Sequence, residues 1–196
     1  MKAILDKIKS FGFIQKHSYS ESDEKAVRNI FKQMNGSIPS DYLYFMKELG
    51  SGYIDASVKV HSKTDIPPVN EESKYLSISR FLDWSETSDF SIHSEMHMLS
   101  DQLPNRFIPF VEGASGDFYG FSIRKDGTYF ISYWHHESIL NEQIHLVADD
   151  FNSFIMSITE YKEKHSTSVS SNDSINHNSS PKMIELLKRT GKWKGD

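Results

Sequence analysis

The chain has 196 residues, of which 37% are hydrophobic and 13% aromatic, and a formal charge of -5 at pH 7. Domains run about 100 to 200 residues, so this length suits one domain with an appendage. The absence of cysteine excludes a disulfide framework, thiolate metal sites and cysteine nucleophiles, and the acidic balance argues against direct nucleic-acid binding, which needs clustered Lys and Arg.

The first residues carry Lys2, Asp6, Lys7 and Lys9 and lack the apolar run of roughly 7 to 15 residues found in a secretory leader. No stretch approaches the roughly 20 apolar residues of a membrane span. The expectation is a cytoplasmic protein with no membrane partner. Residues 22–34 place Val27, Ile30, Phe31 and Met34 at three-and-four spacing, which predicts an amphipathic helix. Asn35-Gly36 ends it, with glycine taking the left-handed conformation. A second helix follows Ile38-Pro39-Ser40-Asp41, with Ser40 as the expected N-cap and Tyr42, Leu43, Phe45, Met46 and Leu49 as its apolar set. Gly50-Ser51-Gly52 turns the chain.

Residues 53–60 read as short extended pieces, and Asp65-Ile66-Pro67-Pro68 as an irregular loop. Residues 76–103 fit short helices or loops equally well. Residues 106–111, 118–123 and 129–134 are rich in β-branched and aromatic side chains and predict strands, with Lys125-Asp126-Gly127 as a hairpin turn. A final helix is expected over 148–164, capped by Asp149 or Asp150 and packing Phe151, Phe154, Ile155, Ile158 and Tyr161 on the sheet. Helices, then an antiparallel sheet, then a helix define an α+β domain: a twisted antiparallel sheet with N-terminal helices and a C-terminal helix packed on it. This domain is assigned to residues 1–165. Residues 166–181 form a linker, because eleven of the fifteen residues 166–180 are Ser, Thr or Asn. Residues 182–196 form a short basic tail with helical potential, carrying Lys182, Lys188, Arg189, Lys192 and Lys194 against Glu185 and Asp196. The acid is concentrated in the body.

The order of segments resembles the SUKH superfamily, to which the yeast cell-wall synthesis regulators and many bacterial immunity proteins belong. The marks are Ile38-Pro39-Ser40-Asp41-Tyr42 at a helix start, Gly50-Ser51-Gly52 at its end, Ile108-Pro109-Phe110 followed by Gly116-Asp117 and an aromatic strand, and a helix after Leu146-Val147-Ala148. They span about residues 20–163. The resemblance implies a non-enzymatic domain, encoded beside a secreted toxin that it binds and neutralises inside the producing cell.

Residue chemistry points the same way. His135-His136-Glu137, with His93 and His97, raises a metal site, but adjacent strand residues point to opposite faces, and His93-Ser94-Glu95-Met96-His97 lacks the glutamate position of a zinc-protease helix. Ordinary hydrogen-bonded histidines are the preferred reading. Gly113-Ala114-Ser115-Gly116-Asp117 lacks the second glycine of a nucleophile elbow; a strand-connecting turn is expected, with Asp117 orienting turn amides. No catalytic, metal or cofactor residue is assigned.

Residues 81–105 contain Asp83, Glu86, Asp89, Glu95 and Asp101 and no Lys or Arg. Such a run is either a solvated face or a negative surface complementary to a basic partner. Trp84 and Trp134 are either core residues, the preferred reading, or interface anchors. Together with Asp117, His135, His136 and Glu137, these residues form the expected partner-binding set. The expected partner is a cognate protein toxin, basic because nucleases bind phosphate; the alternative is a regulatory scaffold that recruits cell-wall or signalling proteins.

Overall fold

The computed structural model describes residues 1–64, 76–113, 116–138 and 143–161, all within the unit Met1–Lys162. The expected loop at 65–68, Ser115, the linker and the basic tail lie outside the described residues. The elements are α1 (Lys2–Ser10), β1 (Phe13–His17), α2 (Glu21–Gln33), α3 (Ser40–Leu49), β2 (Ser51–Ile54), β3 (Val58–Val60), β4 (Leu76–Ser77), β5 (Arg80–Phe81), α4 (Ile92–Met98), β6 (Phe107–Glu112), β7 (Phe118–Ile123), β8 (Tyr129–Trp134), β9 (Ile144–Ala148), α5 (Phe151–Ser157) and β10 (Ile158–Glu160). A seven-stranded sheet runs β1-β2-β5-β6-β7-β8-β9, and a second, three-stranded sheet runs β10-β3-β4. Every paired strand is antiparallel. The domain is α+β, as the order of segments predicts.

Each helix buries the stripe its spacing dictates. In α2, Val27, Ile30 and Phe31 are buried, and the Ser20 hydroxyl accepts from the Asp23 amide at 3.2 Å to cap the first turn. The left-handed residue at its end is Asn35 (φ 60°), not Gly36; Asn tolerates that region, and the amide of Gly36 then reaches Phe31 O at 2.8 Å. In α3 the N-cap is Pro39, with no side-chain cap bond, and Ser40 is already helical. Asp41 takes a different role. Its carboxylate accepts from the amides of Tyr42 and Asn152, both at 3.0 Å, tying α3 to the start of α5. Gly50 follows with φ +66°, and a Cβ there would lie 2.0 Å from the carbonyl oxygen of His17, so glycine is required for β1 and α3 to approach.

The last helix is much shorter than its apolar content suggests. Asp150 caps it through the Ser153 amide at 2.6 Å, but helical geometry stops at Ser157, and Ile158 is extended. Ile158, Thr159 and Glu160 pair with Val60, Lys59 and Val58. Two β-branched residues favour the extended form, and pairing with β3 satisfies the backbone that a longer helix would satisfy internally. Tyr161 therefore lies off the helix, its amide bound to Ser57 O at 2.7 Å.

Besides β10, five elements fall outside the sequence expectations: α1, β1 and β9, and β4 and β5, two-residue strands in a stretch expected to hold short helices or loops, too short to show any alternation. The signal for α1 is present, since Ile4, Leu5 and Ile8 are buried at helical spacing. β1 and β9 are the outer strands of the large sheet, and their mixed side chains carry little alternation.

The core is aromatic. Tyr42 is fully buried and meets Trp84, Phe110, Phe121 and Phe151 at ring-centroid distances of 5.0 to 5.5 Å. Its hydroxyl accepts from Trp84 Nε1 at 2.9 Å, so neither polar atom is left unsatisfied. Burial first, against the hydrogen bond from Trp84 and with the nearby Asp83 charge, pushes the Tyr42 phenol well above its usual range. Burying each such ring contributes about 1.5 to 3 kcal/mol. This core joins α2, α3 and α5 to the sheet and places the polar segments at its margins.

Candidate functional site: an acidic segment and a buried carboxylate

The segment between β5 and β6 holds most of the acids singled out by sequence, and tertiary structure divides them. Asp83 turns inward. Its carboxylate accepts from the Ser85 amide at 2.9 Å and stands 3.6 Å from His17 Nε2, while its backbone bridges to Ser91 and bonds Phe90 O and the Ile92 amide. Asp83 thus closes the loop that leads into α4. Trp84 is buried against Tyr42 and Tyr19. Ser91 caps α4 through the Ser94 amide at 3.1 Å, and Ile92 and Glu95, one turn apart, are the buried residues of that helix. Glu86, Asp89 and Asp101 are exposed.

Two apolar side chains on the same segment stay in solvent: Phe90 at 53% and Met98 at 60% exposure, at either end of α4. The Arg80 guanidinium lies 3.7 Å over the Phe90 ring and pairs with Glu112. A stretch with no basic residue of its own is therefore met by a cation from β5. Glu95 is 7% exposed. Burial pushes its carboxyl up, the Glu112 charge adds to this, and Arg80 opposes it.

At the end of β7 and β8, Asp117 is buried and serves a different turn from the expected one. Its carboxylate accepts from the His136 amide at 3.0 Å, from His136 Nδ1 at 2.6 Å and from the Tyr133 hydroxyl at 2.5 Å, whereas Gly113 is held by the Asp117 carbonyl at 2.8 Å. His136 Nε2 stands 3.8 Å from Glu137 Oε1. The Tyr133 phenol is pushed well above its usual range by burial and by Asp117. His135 is buried, with Nδ1 2.7 Å from Ser138 Oγ. Trp134 is also buried, stacked on Phe118 and donating to Gln143 Oε1 at 3.3 Å.

Of the expected contact set, Asp83, Trp84, Glu95, Asp117, Trp134 and His135 are buried, Glu86, Asp89, Asp101 and Glu137 are exposed, and His136 is half-buried. The two tryptophans are core side chains and offer no surface anchor. Phe90 and Met98 were missed because an isolated aromatic in a polar segment looks like core until the fold shows which side it faces. His93 and His97 do share α4, yet the described residues contain no group of three or more His, Cys, Asp or Glu able to hold a metal ion.

A cleft of about 370 Å³ outside the expected set is lined by Tyr19, Glu21, Glu24, Lys25, Arg28 and Lys47. Burial pushes Glu24 up, but hydrogen bonds from Tyr19, Arg28 and Lys47 outweigh it and hold the carboxyl below its usual range. Its one sequence signal is the Glu24–Arg28 spacing of four.

No helix among the described residues is long and apolar enough to cross a membrane. The fold is an α+β domain whose buried polar groups lock turns in place and whose segment between β5 and β6 carries acids without Lys or Arg. The family model SUKH_6, described as SMI1-KNR4 cell-wall, matches residues 24–155, and the chain belongs to this family. No curated protein matches it.

Proposed function

We propose that the chain is an immunity protein that binds a cognate basic toxin in the cytoplasm and blocks it by steric and electrostatic occlusion, without catalysis. The observation that carries this reading is the coexistence on one segment of three exposed acids, Glu86, Asp89 and Asp101, with two exposed apolar side chains, Phe90 and Met98. Apolar contact area within a charged rim is the usual anatomy of a protein interface. The negative rim speeds encounter with a basic partner and disfavours acidic ones. A nuclease suits the partner role, because its own phosphate-binding surface is basic.

The test is to express the C-terminal toxin domain of the secreted protein encoded next to this chain, with and without the chain. Rescue of growth and co-purification of the two proteins are expected. Cells that remain as sensitive as those lacking the chain would reject the reading. The cell-wall description of the matched family favours a regulatory scaffold as the second reading; recovery of cell-wall or signalling enzymes, with no protection against the toxin, would select it.

A further inference from the structure

The cleft of about 370 Å³ at the start of α2 is built around one carboxylate and holds more cations than that carboxylate can neutralise. Glu24, whose side chain is only 13% exposed, accepts from the Tyr19 hydroxyl and from Arg28 Nε at 2.7 Å, and pairs with Lys47 Nζ at 3.3 Å. Tyr19 is itself fixed, since its ring lies 6.3 Å from that of Trp84 and Lys47 stands 5.1 Å over it. One withdrawn carboxylate thus orients two cations, Arg28 from α2 and Lys47 from α3, on the wall of an open cleft.

Neither cation is used up. Arg28 directs Nε and Nη2 to the same oxygen, Glu24 Oε1, whereas a guanidinium carries five N–H groups. Its side chain is 51% exposed and that of Lys47 44%. Glu21 and Lys25 complete the charged lining; both are exposed and make no ion pair among the described residues. Lys25, Arg28 and Lys47 against Glu21 and Glu24 leave the lining one positive charge in excess. A single negative charge is what it lacks. The guanidinium N–H groups not taken by Glu24 suit the two oxygens of a carboxylate, and the lysine ammonium groups add point charges. The group that fits is small and polar, because Tyr19, the one ring in the wall, is already packed on Trp84 and under Lys47 and offers little to a large apolar ligand. We propose that this cleft is a binding site for a carboxylate group, held by Arg28 and Lys47 and attracted by Lys25. The site is independent of the acidic segment and of the toxin-binding reading.

Titration of the full chain with propionate, followed by amide chemical shifts, tests the site, with N-acetylglutamate α-amide as the same group on a peptide unit and N-acetylglutamine α-amide as its uncharged counterpart. Both carboxylates should give saturable shifts at Tyr19, Lys25, Arg28 and Lys47, and the glutamine compound none. Tighter binding of the glutamate compound than of propionate assigns the site to an acidic side chain of a protein; binding no tighter assigns it to free carboxylates. Arg28→Gln should weaken binding about tenfold, as loss of a charge-assisted hydrogen bond does. Lys25→Gln, which leaves the Glu24 contacts intact, should weaken it about threefold. Lys32→Gln, farther along α2 and outside the lining, should change nothing. Shifts that never saturate, or a loss in Lys32→Gln as large as in Arg28→Gln, would overturn the site, because diffuse surface charge would then account for the binding. Inorganic phosphate bound more tightly than either carboxylate would overturn the choice of ligand.

Discussion

Asp117 illustrates how much a single buried carboxylate can organise: with three hydrogen bonds it joins the start of β7 to the end of β8 and orients the His136 ring. Hydrogen bonds to a charged group are worth about 1.5 to 3 kcal/mol each, and loss of the acceptor strands the donors. Asp117→Ala should therefore destabilise the domain by about 3 kcal/mol in urea denaturation, and a loss below about 1 kcal/mol would mean that water replaces the carboxylate. Glu95 is expected to behave in the opposite way. Its carboxyl is held above the usual range by burial and by Glu112, so it binds its proton more tightly in the folded than in the unfolded chain. Its contribution to stability is thus fully present in acid, below the ordinary carboxylate range, and is lost as pH rises through the raised folded value. Glu95→Gln should melt at a higher temperature than wild type near pH 7, and the difference should close as pH falls to the acidic side of that range. A constant difference at all pH values would show that packing, not ionisation, separates the two.

Elements in this chain are decided by their ends and by their partners. α5 begins at a true cap, the Asp150 carboxylate on the Ser153 amide, whereas α3 begins at Pro39 with Ser40 inside the helix. Asp150→Ala should cost about 1 kcal/mol of unfolding free energy, while Ser40→Ala should stay within about 0.5 kcal/mol. Equal losses at both sites would contradict this assignment of caps. The end of α5 is set from outside the helix, since Ile158–Glu160 finds β3 as a strand partner. No local pattern announces that choice: Phe151, Phe154, Ile155 and Ile158 have helical spacing, and all four are buried. The same side chains fill the core whether the backbone beneath the last of them is helical or extended.

At the scale of the whole molecule, the proposed function assigns encounter to surface charge, while the aromatic core governs persistence of the fold. The exposed acids Glu86, Asp89 and Asp101 make no ion pair among the described residues, so removing them should leave stability within about 0.5 kcal/mol of wild type. Replacing all three with Ser should slow association with the cognate toxin by about tenfold at low ionic strength, an effect that shrinks with added salt as screening takes over. Stopped-flow rates at two salt concentrations would measure it, and an unchanged rate would reject the charged surface. Asp83 does not belong in such a variant, because its carboxylate holds the Ser85 amide and its loss would disturb the loop before α4.

Periodicity and composition by themselves determined the α+β class, the helices around Val27–Phe31 and Tyr42–Leu49 and the three central strands, because those segments each bury one face and their spacing records it; the family was legible only as a resemblance carried by short motifs in order. Tertiary structure alone decided which acids reach solvent, that Trp84 and Trp134 belong to the core, that Asp117 reaches across to His136, and that Arg80 meets Phe90 and Glu112. These depend on distances between residues far apart in the chain, and a one-dimensional pattern shows that a side chain is polar without showing what folds over it.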